Sequence, residues 1–149
     1  MKMNRLMTFL VIYKEGKISM TSKERPLIVY FSGTGQTERL VNKININNSF
    51  ETFRVKSGKE KVNKPFILIT PTYMKGAIPK QIERFLEING SPDEVIGTGN
   101  KQWGSNFCGA SKKISEMFKI PLIAKVEQSG HFNEIQPILE HFSNKYKIA

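Results

Sequence analysis

The sequence predicts an α/β protein, a doubly wound parallel sheet with helices on both faces in three layers. Two observations predict it. Apolar runs of strand length alternate with stretches whose apolar residues fall at helical spacing, which implies parallel pairing through right-handed crossovers. The runs Leu27-Ile28-Val29-Tyr30-Phe31 and Pro65-Phe66-Ile67-Leu68-Ile69 are also apolar almost throughout, as strands covered on both faces are. A chain of 149 residues is one domain by length and long enough for a core of its own.

Residues 1–24 read differently from the rest. Met7-Thr8-Phe9-Leu10-Val11-Ile12-Tyr13 is a short apolar run behind Lys2 and Arg5, but no small-residue cleavage pattern follows it. Met20 is a candidate natural start, and we expect 1–24 to be a dispensable, loosely docked extension; an extra edge strand is the alternative. The domain then spans 25–149. Its first strand, 27–31, leads through Ser32-Gly33-Thr34-Gly35-Gln36-Thr37 into an amphipathic stretch from Glu38 to Ile44. Phe50 to Val55 alternates as an edge strand should, and Ser57 to Lys64 is a charged loop. A strand over 65–70 ends in Pro71-Thr72-Tyr73-Met74-Lys75-Gly76. A helix entered through Pro79 follows, with Ile78, Ile82, Phe85 and Leu86 on one face. Glu94 to Gly97 is a short strand, and the next helix carries Phe107, Ala110, Ile114, Met117 and Phe118 on one side. Leu122 to Glu127 is the fifth strand. The last helix has Phe132, Ile135, Ile138, Leu139 and Phe142 inward, with Pro137 expected to delay its start or kink it.

Composition narrows the class. The single cysteine, Cys108, excludes an internal disulfide, fits a reducing cytoplasm, and reads as a buried structural thiol. His131 and His141 are too isolated for a metal site. No apolar stretch is long enough to span a bilayer. The formal charge of +10 points to an acidic partner or a site that attracts anions, yet no basic run or aromatic-plus-basic motif supports nucleic-acid binding.

Three loops stand out because all follow strands, where ligands of open parallel sheets bind. The first, Ser32 to Thr37, has two glycines and three hydroxyls before a helix start, the makings of an anion cradle. It has no lysine after the second glycine, as a triphosphate loop would, and Glu38 stands where G-x-G-x-x-G needs its third glycine. Such a loop suits one terminal monophosphate; taken alone, an ordinary turn with a hydroxyl helix cap explains it equally well. The second loop follows Thr70 and the third is Gly97 to Gly104. With Tyr73, Asn100 and Trp103 among their residues, the three suit a flat aromatic cofactor with a phosphate tail.

Here the sequence resembles a known family. Ser32-x-Thr34-Gly35-x-Thr37 is similar to the FMN-phosphate loop of flavodoxins. More narrowly, Pro65-Phe66-Ile67-Leu68-Ile69, Ile78-Pro79-x-x-Ile82-x-x-Phe85-Leu86, Gly97-x-Gly99-Asn100-x-x-Trp103-Gly104-x-Asn106-Phe107, Ile120-Pro121-Leu122 and Glu127-x-x-Gly130 resemble NrdI, the flavodoxin-like accessory protein of class Ib ribonucleotide reductase. The resemblance implies a flavodoxin-like sheet in the order 2-1-3-4-5 with bound FMN. Reduced FMN would convert O₂ to superoxide or peroxide, which would oxidise the dimanganese site of the reductase small subunit and generate its tyrosyl radical. The flavin would draw electrons from a reductant the sequence does not identify, and the protein would bind and tune rather than catalyse in its own right.

The resemblance also implies residue roles. Ser32, Gly33, Thr34, Gly35, Gln36 and Thr37 would hold the phosphate. Thr70, Pro71, Thr72, Tyr73, Met74 and Gly76 would line one side of the flavin, with Tyr73 on the ring. Thr98, Gly99, Asn100, Trp103 and Gly104 would line the other, with Asn100 near the pyrimidine edge. Some relatives have a longer, glycine-rich loop where this chain has Met74-Lys75-Gly76. Electron-transfer flavodoxins are typically acidic; here Lys75 and Lys101 lie inside the flavin loops, where positive potential would favour anionic flavin and retain an anionic oxygen species. The alternatives are a general electron-carrier flavodoxin and a cofactor-free basic binding module.

Overall fold

The computed structural model describes residue 21 and residues 23–148. The extension expected over 1–24 therefore falls almost wholly outside the described residues. The elements are β1 (Leu27–Tyr30), α1 (Gln36–Ile44), β2 (Thr52–Arg54), β3 (Phe66–Thr70), α2 (Lys80–Asn89), β4 (Glu94–Gly99), α3 (Gly109–Phe118), β5 (Leu122–Glu127) and α4 (Phe132–Tyr146). The strands form one parallel sheet in the order β2-β1-β3-β4-β5.

Strand alternation builds the three layers, because neighbouring side chains point to opposite faces. Ile28, Ile67, Ile69 and Ile96 face α1 and α4, where they pack with Leu40, Val41, Ile44, Ile138 and Phe142. Leu27, Val29, Leu68 and Val95 face α2 and α3, where they meet Ile82, Phe85, Leu86 and Ile114. The register sets Ile28 beside Ile67 and Leu68 beside Val95, so both cores continue across the sheet. The β2–β3 crossover carries no helix. It is pinned instead by the Glu60 carboxylate, which accepts from the backbone N–H of Lys56 (2.9 Å), Ser57 (3.0 Å) and Gly58 (2.9 Å).

Some expectations need correction. β4 runs to Gly99 rather than ending at Gly97, and α3 starts at Gly109, so Phe107 precedes the helix. Pro137 sits inside α4 without delaying its start at Phe132. Phe132 does not point inward: it is 77% exposed, at the helix's first position beyond the end of β5. Met117 is likewise exposed and lines an open groove with Ile78, Leu86 and Phe118 rather than the core.

Candidate functional site

The carboxyl ends of β1, β3 and β4 open onto one pocket of about 310 Å³. Its walls are Gly33, Thr34, Gln36, Thr37, Pro71, Thr72, Tyr73, Thr98, Gly99, Asn100, Trp103 and Gln128. The three loops singled out in the sequence thus meet in space, at the edge between β1 and β3 where the strand order reverses.

The first loop is shaped from within. Gly35 turns the chain at φ 95°, a conformation open to glycine, and its carbonyl begins α1 by accepting from Arg39 N at 3.0 Å. Ser32 Oγ accepts from Gly35 N (3.1 Å) and Glu38 N (3.3 Å), so this hydroxyl does the work of a cap. Arg54 holds the loop from the edge strand: its guanidinium donates to the Ser32 carbonyl (3.1 Å) and to the Glu38 carboxylate (2.7 Å). Thr37 and Thr98, both buried, share a hydroxyl–hydroxyl bond of 3.0 Å that joins the α1 start to the end of β4.

The second loop is a closed turn. Tyr73 N donates to Ala77 O (2.9 Å), and Gly76 N and Ala77 N donate back to Tyr73 O (3.1 and 3.2 Å). Lys75 at φ 60° and Gly76 at φ 73° place two successive residues in the left-handed region. Tyr73 packs edge-on to Phe31 with ring centroids 6.2 Å apart, and its hydroxyl lies 2.9 Å from where a Cβ on Gly33 would stand. No side chain larger than hydrogen fits at 33 without moving that tyrosine. In the third loop Asn100 Oδ1 accepts from Gln102 N (2.9 Å) and starts the short turn Lys101–Asn106 that presents Trp103.

Six residues expected at the site lie off the pocket walls. Ser32 and Gly35 shape the first loop from behind. Thr70 is buried, its hydroxyl donating to Pro71 O at 2.9 Å. Met74 is exposed and lines a neighbouring hollow with Lys75, Trp103 and Asn106. Gly76 is buried against Asn106 and Gly109, and Gly104 faces open space. Two contributors escaped the sequence. Gln128, at φ 54°, donates its N–H to Gly99 O (2.8 Å) and closes the pocket; as the first residue after β5, the strand-end rule points to it. Arg54 gave no local signal, because its task depends on a loop twenty-two residues away.

The donor set suits a phosphate carried on a flat ring. The walls present neutral hydroxyls, amides and glycine backbone, with no carboxylate to repel an anion and with Tyr73 and Trp103 as the aromatic groups. The volume lies at the low end for small-ligand sites, roughly 300–1,000 Å³. Lys75 and Lys101 are exposed beside the opening. Close by, Glu127 accepts from Lys101 N (3.1 Å) and lies 3.5 Å from His131. Cys108 is fully buried next to Gly99, and burial pushes its thiol pKa up to about 12, which keeps it protonated and inert. Among the described residues no cluster of side chains is suited to a metal ion, and no helix is long and apolar enough to cross a membrane.

A doubly wound parallel sheet in this order, with a neutral phosphate-type loop after β1 and aromatic side chains on the next two loops, defines a flavodoxin-like protein. The chain belongs to the NrdI flavodoxin-like family, whose model matches residues 28–140. Among solved structures, the fold is similar to that of a short-chain flavodoxin associated with a non-canonical PDU bacterial microcompartment. That match has a TM-score of 0.63 and 20% identity, over 82% of this chain and 95% of that one. It is also similar to oxidised Flavodoxin 2 from Bacillus cereus, with a TM-score of 0.58 and 15% identity over 82% and 100% of the two chains. Members of the NrdI and flavodoxin-like families bind FMN.

Proposed function

We propose that this chain binds FMN in the pocket beyond β1, β3 and β4 and, as a flavodoxin-like redox protein, supports assembly of the dimanganese–tyrosyl radical centre of a class Ib ribonucleotide reductase small subunit. The observation that carries the reading is the convergence of the three loops on one carboxylate-free pocket, in a chain whose NrdI family match covers 28–140. Bound FMN would supply the electron chemistry, the reduction of O₂ to superoxide or peroxide with electrons from a separate reductant.

The protein's part is to hold, orient and bias. Backbone N–H groups of Gly33 and Thr34, the Thr34 and Thr37 hydroxyls and the start of α1 hold the phosphate. Tyr73 and Trp103, the aromatic side chains of the pocket wall, would hold the ring, and the Asn100 amide would hydrogen-bond to its polar edge. Lys75 and Lys101 raise the potential at the opening, which favours a negatively charged reduced ring and keeps an anionic oxygen product near the surface. The setting is the cytoplasm, in keeping with the lone, unreactive thiol.

The test has two stages. The purified chain reconstituted with FMN shows a bound-flavin visible spectrum; failure to take up FMN defeats the reading, and leaves a cofactor-free basic module. The reduced holoprotein, mixed with manganese-loaded small subunit and O₂, then yields tyrosyl radical by electron paramagnetic resonance. A yield no greater than with free reduced FMN leaves an electron-carrier flavodoxin instead.

A further inference from the structure

We propose that Gly109, in the first turn of α3, is a positioning residue for the flavin ring: it lets the helix seat directly on Gly76 and so holds the 73–77 turn, and Tyr73 with it, at the pocket wall. The inference rests on the FMN reading above, and it concerns a residue outside the pocket.

The approach is close enough that a methyl group has no room. A Cβ on Gly109 would stand 2.9 Å from Gly76 Cα, 3.1 Å from Gly76 O and 3.4 Å from Gly76 C. Those are backbone atoms, which cannot swing aside as a flexible side-chain end would. Two further contacts complete the clamp. Ala110 N, an otherwise unpaired first-turn donor, gives its hydrogen bond to the buried Thr72 Oγ1 at 3.2 Å. Asn106 packs on the same glycine, its Oδ1 3.2 Å from where a Gly76 Cβ would be.

The clamp grips a turn with no slack. Three backbone hydrogen bonds close it around Tyr73, and its left-handed pair, Lys75 and Gly76, leaves few other paths. At its far side Tyr73 stands over Gly33 of the first loop. Displacing Gly76 therefore moves Tyr73 relative to the first loop, while that loop itself stays on β1 and α1.

That separation gives the proposal its own signature. A helix position with no task beyond α3 gains from glycine to alanine, because alanine is the better helix former. On this proposal Gly109→Ala instead weakens ring binding. The apoprotein is titrated with FMN and with riboflavin, following flavin fluorescence and the visible circular dichroism of the bound ring, with Lys113→Ala on the solvent face of α3 as control. Gly109→Ala is expected to weaken both ligands by the same factor, at least about fivefold, a modest coupling between sites. The visible dichroism changes, and the preference for FMN over riboflavin stays as in the wild type.

Asn106→Ala, an exposed truncation that spares the core, shifts the same readouts in a smaller step and decides the matter if Gly109→Ala does not fold. Unchanged affinity and dichroism in the folded variant overturn the proposal. So does a fall in the preference for FMN, which would mean a general loosening of the site. A wild-type protein that takes up no flavin defeats the functional reading itself, an outcome distinct from both.

Discussion

The two ends of the sheet handle polar groups in opposite ways. At the amino end Glu94, the first residue of β4, is fully buried, and its carboxylate accepts from His141 Nε2 (2.8 Å), Lys145 Nζ (2.9 Å) and Tyr146 Oη, all on α4. Nearby, the buried Arg25 donates to Tyr146 O (3.0 Å), Ser49 O (2.7 Å) and Lys147 O (3.2 Å), tying the start of β1 to the end of α4. Both Glu94 and Arg25 are thus satisfied from within. At the carboxyl end, Gly33, Thr34, Asn100 and Trp103 border an open pocket. A buried charge with a full set of partners holds the fold together, whereas polar groups at strand ends around an open pocket are placed to meet something from outside.

The largest expected effect breaks the amino end. Glu94→Ala leaves the buried Tyr146 hydroxyl, the Lys145 ammonium and the His141 ring without their acceptor, and should cost about 3 kcal/mol of stability in urea unfolding. FMN affinity should be unaltered, because the pocket is at the far end. A loss under about 1 kcal/mol would show that the amino-end network contributes little. Acid sharpens the same point. Burial alone would raise the Glu94 pKa, but hydrogen bonds from Tyr146, Lys145 and His141 outweigh it and hold the carboxyl below its ordinary 4.5. A depressed folded-state pKa gives stability that is present above the unfolded value and lost as pH falls through the folded one. Wild-type stability should therefore drop below about pH 4.5 more steeply than that of Glu94→Gln, as acid titration by circular dichroism would reveal.

At the carboxyl end the expected effect falls on binding. Thr34→Ala removes a hydroxyl that we assign to the phosphate and should weaken FMN by about 1.5–3 kcal/mol, read by fluorescence titration, with less change in unfolding because Thr34 is exposed. Riboflavin, which lacks the phosphate, should be little affected; equal losses for both ligands would misplace the cradle. The smallest effect tests an exposed residue on the same rim. Phe132→Ser should alter stability by no more than about 0.5 kcal/mol, since the ring buries almost nothing. A loss above 1 kcal/mol would restore the inward position its spacing suggested.

Much of the site was legible because its signals are local. The two apolar runs give β1 and β3, and the residues that follow them must lie at strand ends. What escaped depends on neighbours remote in sequence. Phe132 has the helical spacing of a core residue but lies past the end of β5, where no sheet covers it. Glu94 reads as an ordinary strand residue, and only the arrival of α4 from 47 to 52 residues away makes it a buried anchor.

The first loop shows the same division. By itself, the sequence from Ser32 to Thr37 determined a tight turn into a helix with backbone donors exposed, because glycine and hydroxyl residues act on their own backbone. What surrounds that turn was decided by tertiary structure. Ser32 caps, while Thr34 and Thr37 face a pocket whose other walls come from Tyr73, Asn100, Trp103 and Gln128. Periodicity and propensity are properties of neighbouring residues; a site is a property of loops brought together only once the sheet has set its strand order.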